Sequence, residues 1–370
     1  MRFPATLAIA LAAAAVLSGC SSAVLPGTGE PAATAWSAVA EAPLSERHSA
    51  TVVWVDDRFI VIGGDDGPLC PATADCVVPS GSFLRDGAAF DPVSGEWTPI
   101  ADSPALVVFP STAVIGAVLY VLTDSGYAGA PSAFLAYDTT ADTWSTLQLP
   151  PDGPGRLVAA GNVVLSVAGS DEVEPALDSW FDPQTASWHR LPEDPLGPSF
   201  DRALVVVEGR LILTAKDLVE SPGADGPSLV RMAELDPTME DWTVLPGTDV
   251  IGSDPVSAGG RLVFPDPGGA DGGEVRNWGR TYLFGGIYEP ETGTWEPLPE
   301  TPGASSWPRL VVGDLVRVGD ALLDPVTLTT TAIPDEPWGP DDSPSVAGSP
   351  TAIFAWGGTP DGAMGWLYAP

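Results

Sequence analysis

Asp91-Pro92-Val93-Ser94-Gly95-Glu96-Trp97 is the stretch of this sequence that decides the fold. Its pattern, an acidic residue usually followed by proline with tryptophan six positions after the acid, recurs along the chain. Repeats spaced by roughly 35–55 residues are typical of a propeller or a solenoid. The copies run from Asp91 to Trp97, Asp138 to Trp144, Asp182 to Trp188, Asp236 to Trp242 and Glu289 to Trp295, and a sixth, from Asp324, has Thr330 in place of tryptophan.

The repeated stretch has the residues of a tight turn between two strands. Asp91 can accept a hydrogen bond from the backbone after it, Pro92 fixes its own φ, and Gly95 can adopt a positive φ. Trp97 then opens the last strand of the unit, and we expect such rings to fill the wide outer gap between neighbouring sheets.

An apolar run precedes each turn, and continuous apolarity predicts strands buried on both faces. We assign these runs as the inner strands of seven units. The apolar segment from Leu106 to Leu122 contains Pro110 and Gly116, so it is predicted as two strands around a turn rather than a membrane span. The seven runs begin at Phe59, Leu119, Val164, Leu211, Leu262, Leu315 and Ile353.

The two ends of the sequence together supply the strands of one blade. Gly365 to Pro370 matches a strand that stops at the turn proline, and Thr34 to Val39 contains Trp36 in the register of a last strand. The sequence therefore predicts an all-β domain over residues 34–370. We expect a seven-bladed β-propeller of four-stranded antiparallel blades whose last blade is closed by the N-terminal strand.

This arrangement resembles the kelch repeat of the galactose oxidase/kelch-like superfamily, over about Ala33 to Pro370. The resemblance rests on a strand ending in Gly-Gly, as at Gly63-Gly64 and Gly357-Gly358, then an aromatic strand, an Asp-Pro turn and a tryptophan. It implies that the connections after the inner strands project on one face around a central channel, and that ligands meet that face.

Residues 1–20 have the form of a signal peptide. A short apolar run ends in Leu17-Ser18-Gly19-Cys20, which resembles the bacterial lipobox, where the cysteine is lipidated. Residues 21–33, rich in Ser, Gly, Pro and Ala, are predicted to be a flexible tether. We therefore expect an extracytoplasmic protein anchored to the bacterial cell membrane by Cys20; an ordinary secretory signal is the alternative.

The composition is strongly acidic, with 15 Lys and Arg against 49 Asp and Glu and a formal net charge of −34. Such a surface repels phosphate backbones, so nucleic acid is excluded as a partner. Anionic lipid is repelled as well, so contact with the membrane is expected only through the lipid anchor. We expect a monomer.

Two further cysteines, Cys70 and Cys76, lie close together. In an exported chain this spacing predicts a local disulfide. Zinc needs two more Cys or His ligands, and the only histidines are His48 and His189. We expect no metal and no cofactor.

The inserts Asp65 to Asp86, Asp217 to Arg231 and Gly268 to Arg280 are the longest connections after the apolar runs. The third contains Arg276, Trp278 and Arg280. An aromatic ring can stack on a sugar and guanidinium can bind a carboxylate, so these three are the first candidates for ligand binding. The alternative is that Trp278 packs the loop and the arginines neutralise nearby acids.

Four more arginines precede the apolar runs at comparable positions and are candidates for an anionic-ligand site at the channel mouth. The alternative is that they form structural ion pairs with aspartates of adjoining loops. They are Arg47, Arg156, Arg202 and Arg309.

The leading functional hypothesis is a non-enzymatic, surface-anchored propeller lipoprotein that binds a glycan or protein ligand through one face. The first alternative is a carbohydrate-active enzyme similar to sialic-acid mutarotases, with His48 as a general base. The second is a structural scaffold of the envelope. The histidines, tyrosines and cysteine of copper-dependent galactose oxidase are not combined in any insert.

Overall fold

All regular elements in the described part of the chain are β-strands. The structure is a computed structural model, and it describes residues 35–68, 82–123, 130–170, 172, 177–219, 225–267, 278–303, 308–339, 342–358 and 364–370, with the backbone of 270–272. The strands form seven four-stranded antiparallel sheets and one two-stranded hairpin.

The sheets are the blades of a propeller, and each of the first four uses consecutive strands. Blade 1 is β2 (Thr51–Val55), β3 (Arg58–Ile62), β4 (Gly87–Asp91) and β5 (Glu96–Ile100); blade 2 is β6 (Ser111–Ile115), β7 (Val118–Thr123), β8 (Ala133–Asp138) and β9 (Thr143–Leu147). Blade 3 is β10 (Arg156–Ala160), β11 (Val163–Val167), β12 (Ser179–Asp182) and β13 (Ser187–Arg190); blade 4 is β14 (Ser199–Val207), β15 (Arg210–Asp217), β16 (Val230–Leu235) and β17 (Trp242–Val244).

Of the last three blades, blade 6 keeps this simple order, whereas blades 5 and 7 depart from it. Blade 5 is β18 (Val256–Ala258), β19 (Arg261–Phe264), β22 (Gly286–Glu289) and β23 (Thr294–Glu296), with the hairpin β20 (Ala270–Gly272) and β21 (Thr281–Leu283) inserted after β19. Blade 6 is β24 (Val311–Val312), β25 (Leu315–Val318), β26 (Ala321–Leu323) and β27 (Thr330–Ala332); blade 7 is β28 (Ser345–Gly348), β29 (Ile353–Trp356), β30 (Gly365–Tyr368) and β1 (Ser37–Ala38).

The N-terminal strand closes the ring, as the sequence predicts. β1 is antiparallel to β30, with Ser37 opposite Leu367 and Ala38 opposite Trp366. The amide of Val39 extends the pairing by donating to the carbonyl of Gly365, at 2.9 Å. The last blade thus obtains its fourth strand from the other end of the domain, which leaves no open blade edge inside the ring.

The apolar runs are buried strands inside the blades, as the sequence predicts. The runs are the second strands of the blades, and the first strands contact one another around the ring in the order β6, β10, β14, β18, β24, β28 and β2. A second strand has a strand on each side and a blade against each face, so it is the most buried; β3 is almost wholly buried, whereas β2 is mostly half-buried.

The turn between the third and fourth strands has the chemistry predicted from the sequence. Oδ1 of Asp91 accepts hydrogen bonds from the amides of Val93, at 2.8 Å, and Ser94, at 3.2 Å. Gly95 has a φ of +72°. The two N–H groups, that of Val93 first, lower the pKa of Asp91 because they stabilise its charged form.

The hydrophobic core is divided among the seven junctions between neighbouring blades. We call each junction a joint and name it by its blades, so that Trp144 of blade 2 packs in joint 1/2. A separate cluster of buried side chains fills each joint. The tryptophans of the repeat therefore fill the gaps between blades, as predicted, and joint 5/6 is the one that has Thr330 instead.

A hydrogen bond from the repeat tryptophan also crosses most joints. The indole N–H donates to a backbone carbonyl of the preceding blade, and the acceptor lies four residues after that blade's own tryptophan position. Each bond satisfies a polar group that the packing of the ring would otherwise leave unpaired. The pairs are Trp97 with Ala40, Trp144 with Ala101, Trp188 with Gln148, Trp242 with Pro192 and Trp36 with Pro334, with N–O distances of 2.7–3.2 Å.

Candidate functional site

The connections of the propeller fall on two unlike faces. Because all four strands of a blade are antiparallel, the links between blades and the connections after the second strands lie at one end, which we call the loop face. The turns after the first and third strands lie at the other end, the turn face. The three long inserts singled out in the sequence therefore belong to the loop face. The four candidate arginines lie toward the same face, Arg47 and Arg309 in links and Arg156 and Arg202 near the starts of first strands.

Arg47 is buried in a network inside blade 1. Its Nη1 and Nη2 bind the two carboxylate oxygens of Asp86 at 2.7 and 2.9 Å, and Nη1 also donates to the carbonyl of Gly63 at 3.1 Å. The hydrogen bond from Arg47 lowers the pKa of Asp86. Since the Arg47 side chain has no exposed surface, its charge is used to hold the insert that follows β3.

Arg202 is likewise buried. It lies between two carboxylates, that of Asp178 in blade 3 and that of Asp194 in the link that follows this blade. Nη2 binds Oδ2 of Asp178 at 2.7 Å, Nη1 binds Oδ2 of Asp194 at 2.9 Å, and Nε donates to the carbonyl of Ala168 at 3.2 Å. Burial raises the pKa of Asp178, and the charge of Arg202 opposes this only in part. This arginine joins blades 3 and 4 and has no exposed side-chain surface.

Arg156 and Arg309 border one cavity of about 420 Å³ in the central channel. Arg309 forms a bidentate ion pair with Asp266, at 2.8 and 3.0 Å, and donates to the carbonyl of Ser253 at 3.2 Å. Arg156 pairs with Asp254. The four candidate arginines therefore do not form one cluster: each has a carboxylate partner, two are enclosed in or between blades, and two remain at the channel.

The hairpin inserted in blade 5 carries the other candidates. Both Nη atoms of Arg280 bind the carboxylate of Asp249 at 2.8 Å, and its guanidinium lies 4.5 Å from the centre of the Tyr282 ring. Trp278 meets Tyr282 edge to face, with ring centres 6.0 Å apart. Arg276 lies outside the described residues. We call Trp278, Arg280, Tyr282 and Asp249 the hairpin cluster.

Two members of this cluster were missed in the sequence. Asp249 belongs to the link between blades 4 and 5 and is 31 positions from Arg280, so no local spacing connects them. Tyr282 follows Arg280 by two residues, as alternate residues on one side of a strand do. That spacing is a signal that could have placed the two side chains together.

A cavity of about 690 Å³ lies beside the hairpin cluster, between the link of blade 4 and the third and fourth strands of blade 5. Asp249 belongs to both the cavity wall and the cluster. The volume is within the range of about 300–1,000 Å³ typical of ligand sites. The described wall consists of residues 247–250, Leu283, Gly285, Gly286 and residues 295–297.

His48 contacts Asp65 across a short bridge in blade 1. The two residues exchange backbone hydrogen bonds of 2.9 Å, and Nε2 of the histidine lies 4.0 Å from Oδ2 of Asp65. Nδ1 lies 3.3 Å from Oγ of Ser49. His48 lines neither of the two cavities described above.

Several sequence predictions fall on residues that the structure does not describe. Cys20, Cys70 and Cys76 are all outside the described ranges, so the lipidation site and the disulfide stay predictions. Within those ranges, no group of three or more Cys, His, Asp or Glu side chains is arranged to hold a metal ion. Nor does that part of the chain contain a helix of the length and apolarity that crossing a membrane requires.

One comparison with known proteins finds a family. The family described as Kelch motif matches residues 46–104, a segment that contains β2–β5 and therefore the whole of blade 1. No curated protein matches the sequence significantly. The match covers the copy in which Gly63-Gly64, the Asp91-Pro92 turn and Trp97 are all present.

Proposed function

We propose that this chain, a seven-bladed β-propeller with a kelch motif over residues 46–104, is a non-catalytic binding module whose loop face takes a glycan or protein ligand. A kelch propeller fold suggests a protein-interaction or binding module. A fold alone does not define a ligand, so the proposal depends on the site. The hairpin cluster with its neighbouring cavity is the observation that carries it.

A glycan fits the chemistry of the hairpin cluster. Trp278 is half-buried, so part of its ring remains available to stack on a sugar. Arg280 and Asp249 are both more than half exposed and present donors and acceptors side by side. Sugar hydroxyls both donate and accept, so one sugar ring can use both partners while its apolar face covers the indole.

The distribution of exposed apolar side chains also favours the loop face. Among the described residues, most large apolar side chains that are exposed belong to loop-face connections, whereas the remainder lie in turns of the other face or on an outer strand. Those on the loop face are Phe109, Leu149, Leu177, Leu218, Val219, Leu283 and Met364.

The position of β1 agrees with attachment through the N-terminus. Fourth strands run from the turn face to the loop face, so the chain enters the propeller at Trp36 on the turn face. In our proposal, lipidated Cys20 and the tether attach the protein to the cell membrane. We further propose that the protein is extracytoplasmic and acts as a monomer.

A glycan array with purified protein tests the proposal. We expect the wild type to bind a defined set of glycans, and Trp278→Ala and Arg280→Ala each to lower the affinity about tenfold or more, because stacking and charge-assisted hydrogen bonds are lost. Arg276→Ala tests the remaining candidate of the hairpin.

The matched control is Arg190→Ala, which removes an exposed arginine that is also paired with an aspartate, Asp152, at 2.6 Å, but lies outside the hairpin. Its binding should equal that of the wild type. Wild-type binding that survives both hairpin variants would place the site elsewhere, and an array without any bound glycan would reject the glycan ligand.

A further inference from the structure

The cavity in the central channel is lined by an arginine, Arg156, that has hydrogen-bond donors without a partner among the described residues. Nη1 of Arg156 pairs with Oδ1 of Asp254, whereas Nε and Nη2 make no hydrogen bond to any described residue. The Arg156 side chain is 57% exposed. Nε–H and one Nη2–H of a guanidinium point the same way and match the two oxygens of a carboxylate. Arg156 therefore keeps a free bidentate donor pair beside Asp254.

The backbone next to Asp254 is held in place by a second arginine, Arg309. Asp254 has a φ of +49°, in the left-handed region, where a non-glycine residue needs local support. That support comes from Arg309, which donates to the carbonyl of the preceding Ser253 and is itself fixed by the bidentate pair with Asp266. Oδ2 of Asp254 accepts no hydrogen bond from the described residues, so a fixed acceptor lies next to the free donors.

The rest of the cavity wall is formed by apolar residues of the first strands of blades 3, 4 and 5 and of the link to blade 6. Two of them, Leu157 and Leu204, are also part of the core clusters of joints 2/3 and 3/4. A volume of about 420 Å³ is within the range of small-molecule sites, about 300–1,000 Å³. The apolar wall residues are Leu157, Val158, Ala203, Leu204, Val205, Pro255, Val256 and Pro308.

We propose that this channel site binds an α-carboxylate that has an N–H group on the adjacent carbon and an apolar side chain, as in a free amino acid or the C-terminal residue of a peptide. The carboxylate binds Nε and Nη2 of Arg156, the N–H donates to Oδ2 of Asp254, and the side chain fills the apolar cavity. The net charge of −34 disfavours ligands with several negative charges. The channel site is separate from the hairpin cluster, so it does not depend on glycan binding.

Isothermal titration calorimetry of the full chain with four probes tests this site: L-leucine, N-acetyl-L-leucine, N-acetyl-L-leucinamide and a tetrapeptide that ends in leucine. We expect at least one carboxylate probe to bind and the amide not to bind, because only a carboxylate matches the free donors of Arg156. Binding of leucine alone identifies a free amino acid, and binding of the tetrapeptide identifies a peptide C-terminus.

Two variants and one control complete the test. Arg156→Gln should weaken binding of the carboxylate probe about tenfold or more. Asp254→Asn keeps an acceptor oxygen but removes the negative charge. It should therefore weaken the binding of leucine, which has a charged ammonium group, more than the binding of N-acetyl-leucine, whose nitrogen is neutral. Arg190→Gln, at an exposed ion pair away from the channel, should change nothing.

Three results would overturn the proposal: a wild type that binds no carboxylate probe at millimolar concentration, equal binding of the amide, or unchanged binding by Arg156→Gln. Thermal midpoints measured in parallel show whether each variant is folded. If Arg156→Gln is unfolded, two other measurements test the site. The wild type must not bind N-acetyl-L-leucinamide, and Asp254→Asn must weaken the binding of leucine more than that of N-acetyl-leucine.

Discussion

The two joints on either side of blade 4 differ in the hydrogen bond of the repeat tryptophan: joint 3/4 has this bond and, among the described residues, joint 4/5 lacks it. In joint 3/4, Nε1 of Trp242 donates to the carbonyl of Pro192 at 3.0 Å, and Arg202 binds carboxylates of blade 3 and its link. In joint 4/5, Trp295 has the same place in the repeat, yet its Nε1 is buried with no hydrogen-bond partner in the described structure.

The difference arises from the irregular segments around joint 4/5. By the rule of the other joints, the acceptor for Trp295 would be the carbonyl of Pro246. The link that follows is instead joined to the inserted hairpin, since the amide of Ile251 donates to the carbonyl of Leu283 at 2.9 Å. The cavity of about 690 Å³ lies at this joint. The cavity thus lies at the joint where the repeat tryptophan, Trp295, lacks its hydrogen bond to the described residues of the preceding blade.

The largest effect is expected from opening a joint completely. Removal of residues 34–39 takes away β1 and Trp36, whose ring packs against Trp338 and Tyr368 with centres 5.0 and 5.5 Å apart. Loss of a large buried aromatic costs about 3–5 kcal/mol; Trp36 is only partly buried, but its removal with β1 also exposes the edge of blade 7. Urea unfolding followed by circular dichroism should show a loss of more than about 4 kcal/mol.

Removal of residues 22–27, the same number of residues from the predicted tether, is the control and should leave the unfolding curve unchanged. An unaltered midpoint after loss of residues 34–39 would contradict the role of β1 in closing the ring.

An intermediate loss of stability is expected from replacing Arg202, which forms ion pairs across joint 3/4. Arg202→Met leaves Asp178 and Asp194 buried without their cation, and breaking such a pair costs about 3–5 kcal/mol. Arg280→Met is the matched variant at joint 4/5, where both partners are exposed, and it should not shift the midpoint measurably. Equal losses for the two variants would show that burial does not separate these ion pairs.

The smallest effect isolates the indole hydrogen bond. Trp242→Phe and Trp295→Phe remove the same atoms from the same position of the repeat, but only Trp242 has a hydrogen bond to lose. Trp242→Phe should therefore be more destabilising by about 1 kcal/mol. The difference in unfolding free energy is the quantity to measure, and a value near zero would mean that the crossing bond adds no stability.

Much of the fold could be predicted because each turn is a local event. Asp91, Pro92 and Gly95 determine a turn through their own backbone preferences and nearby hydrogen bonds. The closure of blade 7 followed from counting the copies to both ends. Period and apolarity report that a strand is buried but not which neighbours bury it, so only the structure showed that the apolar runs are the second strands of their blades.

The candidate site was predictable only in part. The sequence identified Trp278 and Arg280 because one of the long inserts has an aromatic residue flanked by two arginines, Arg276 and Arg280. It could not pair Arg280 with Asp249, nor show that Arg202 is buried whereas Arg156 is open to the channel. Exposure and pairing depend on which segments meet, and the meeting segments come from different blades.

The sequence by itself determined the number of blades, the turn chemistry and the split blade, because these depend on residues close together or on a strict repeat. The tertiary structure alone decided which arginines have free donors and which repeat tryptophan lacks its acceptor. Those properties depend on distances between segments far apart in the chain. The missing bond of Trp295 is one such case, since its expected acceptor, Pro246, is in another blade.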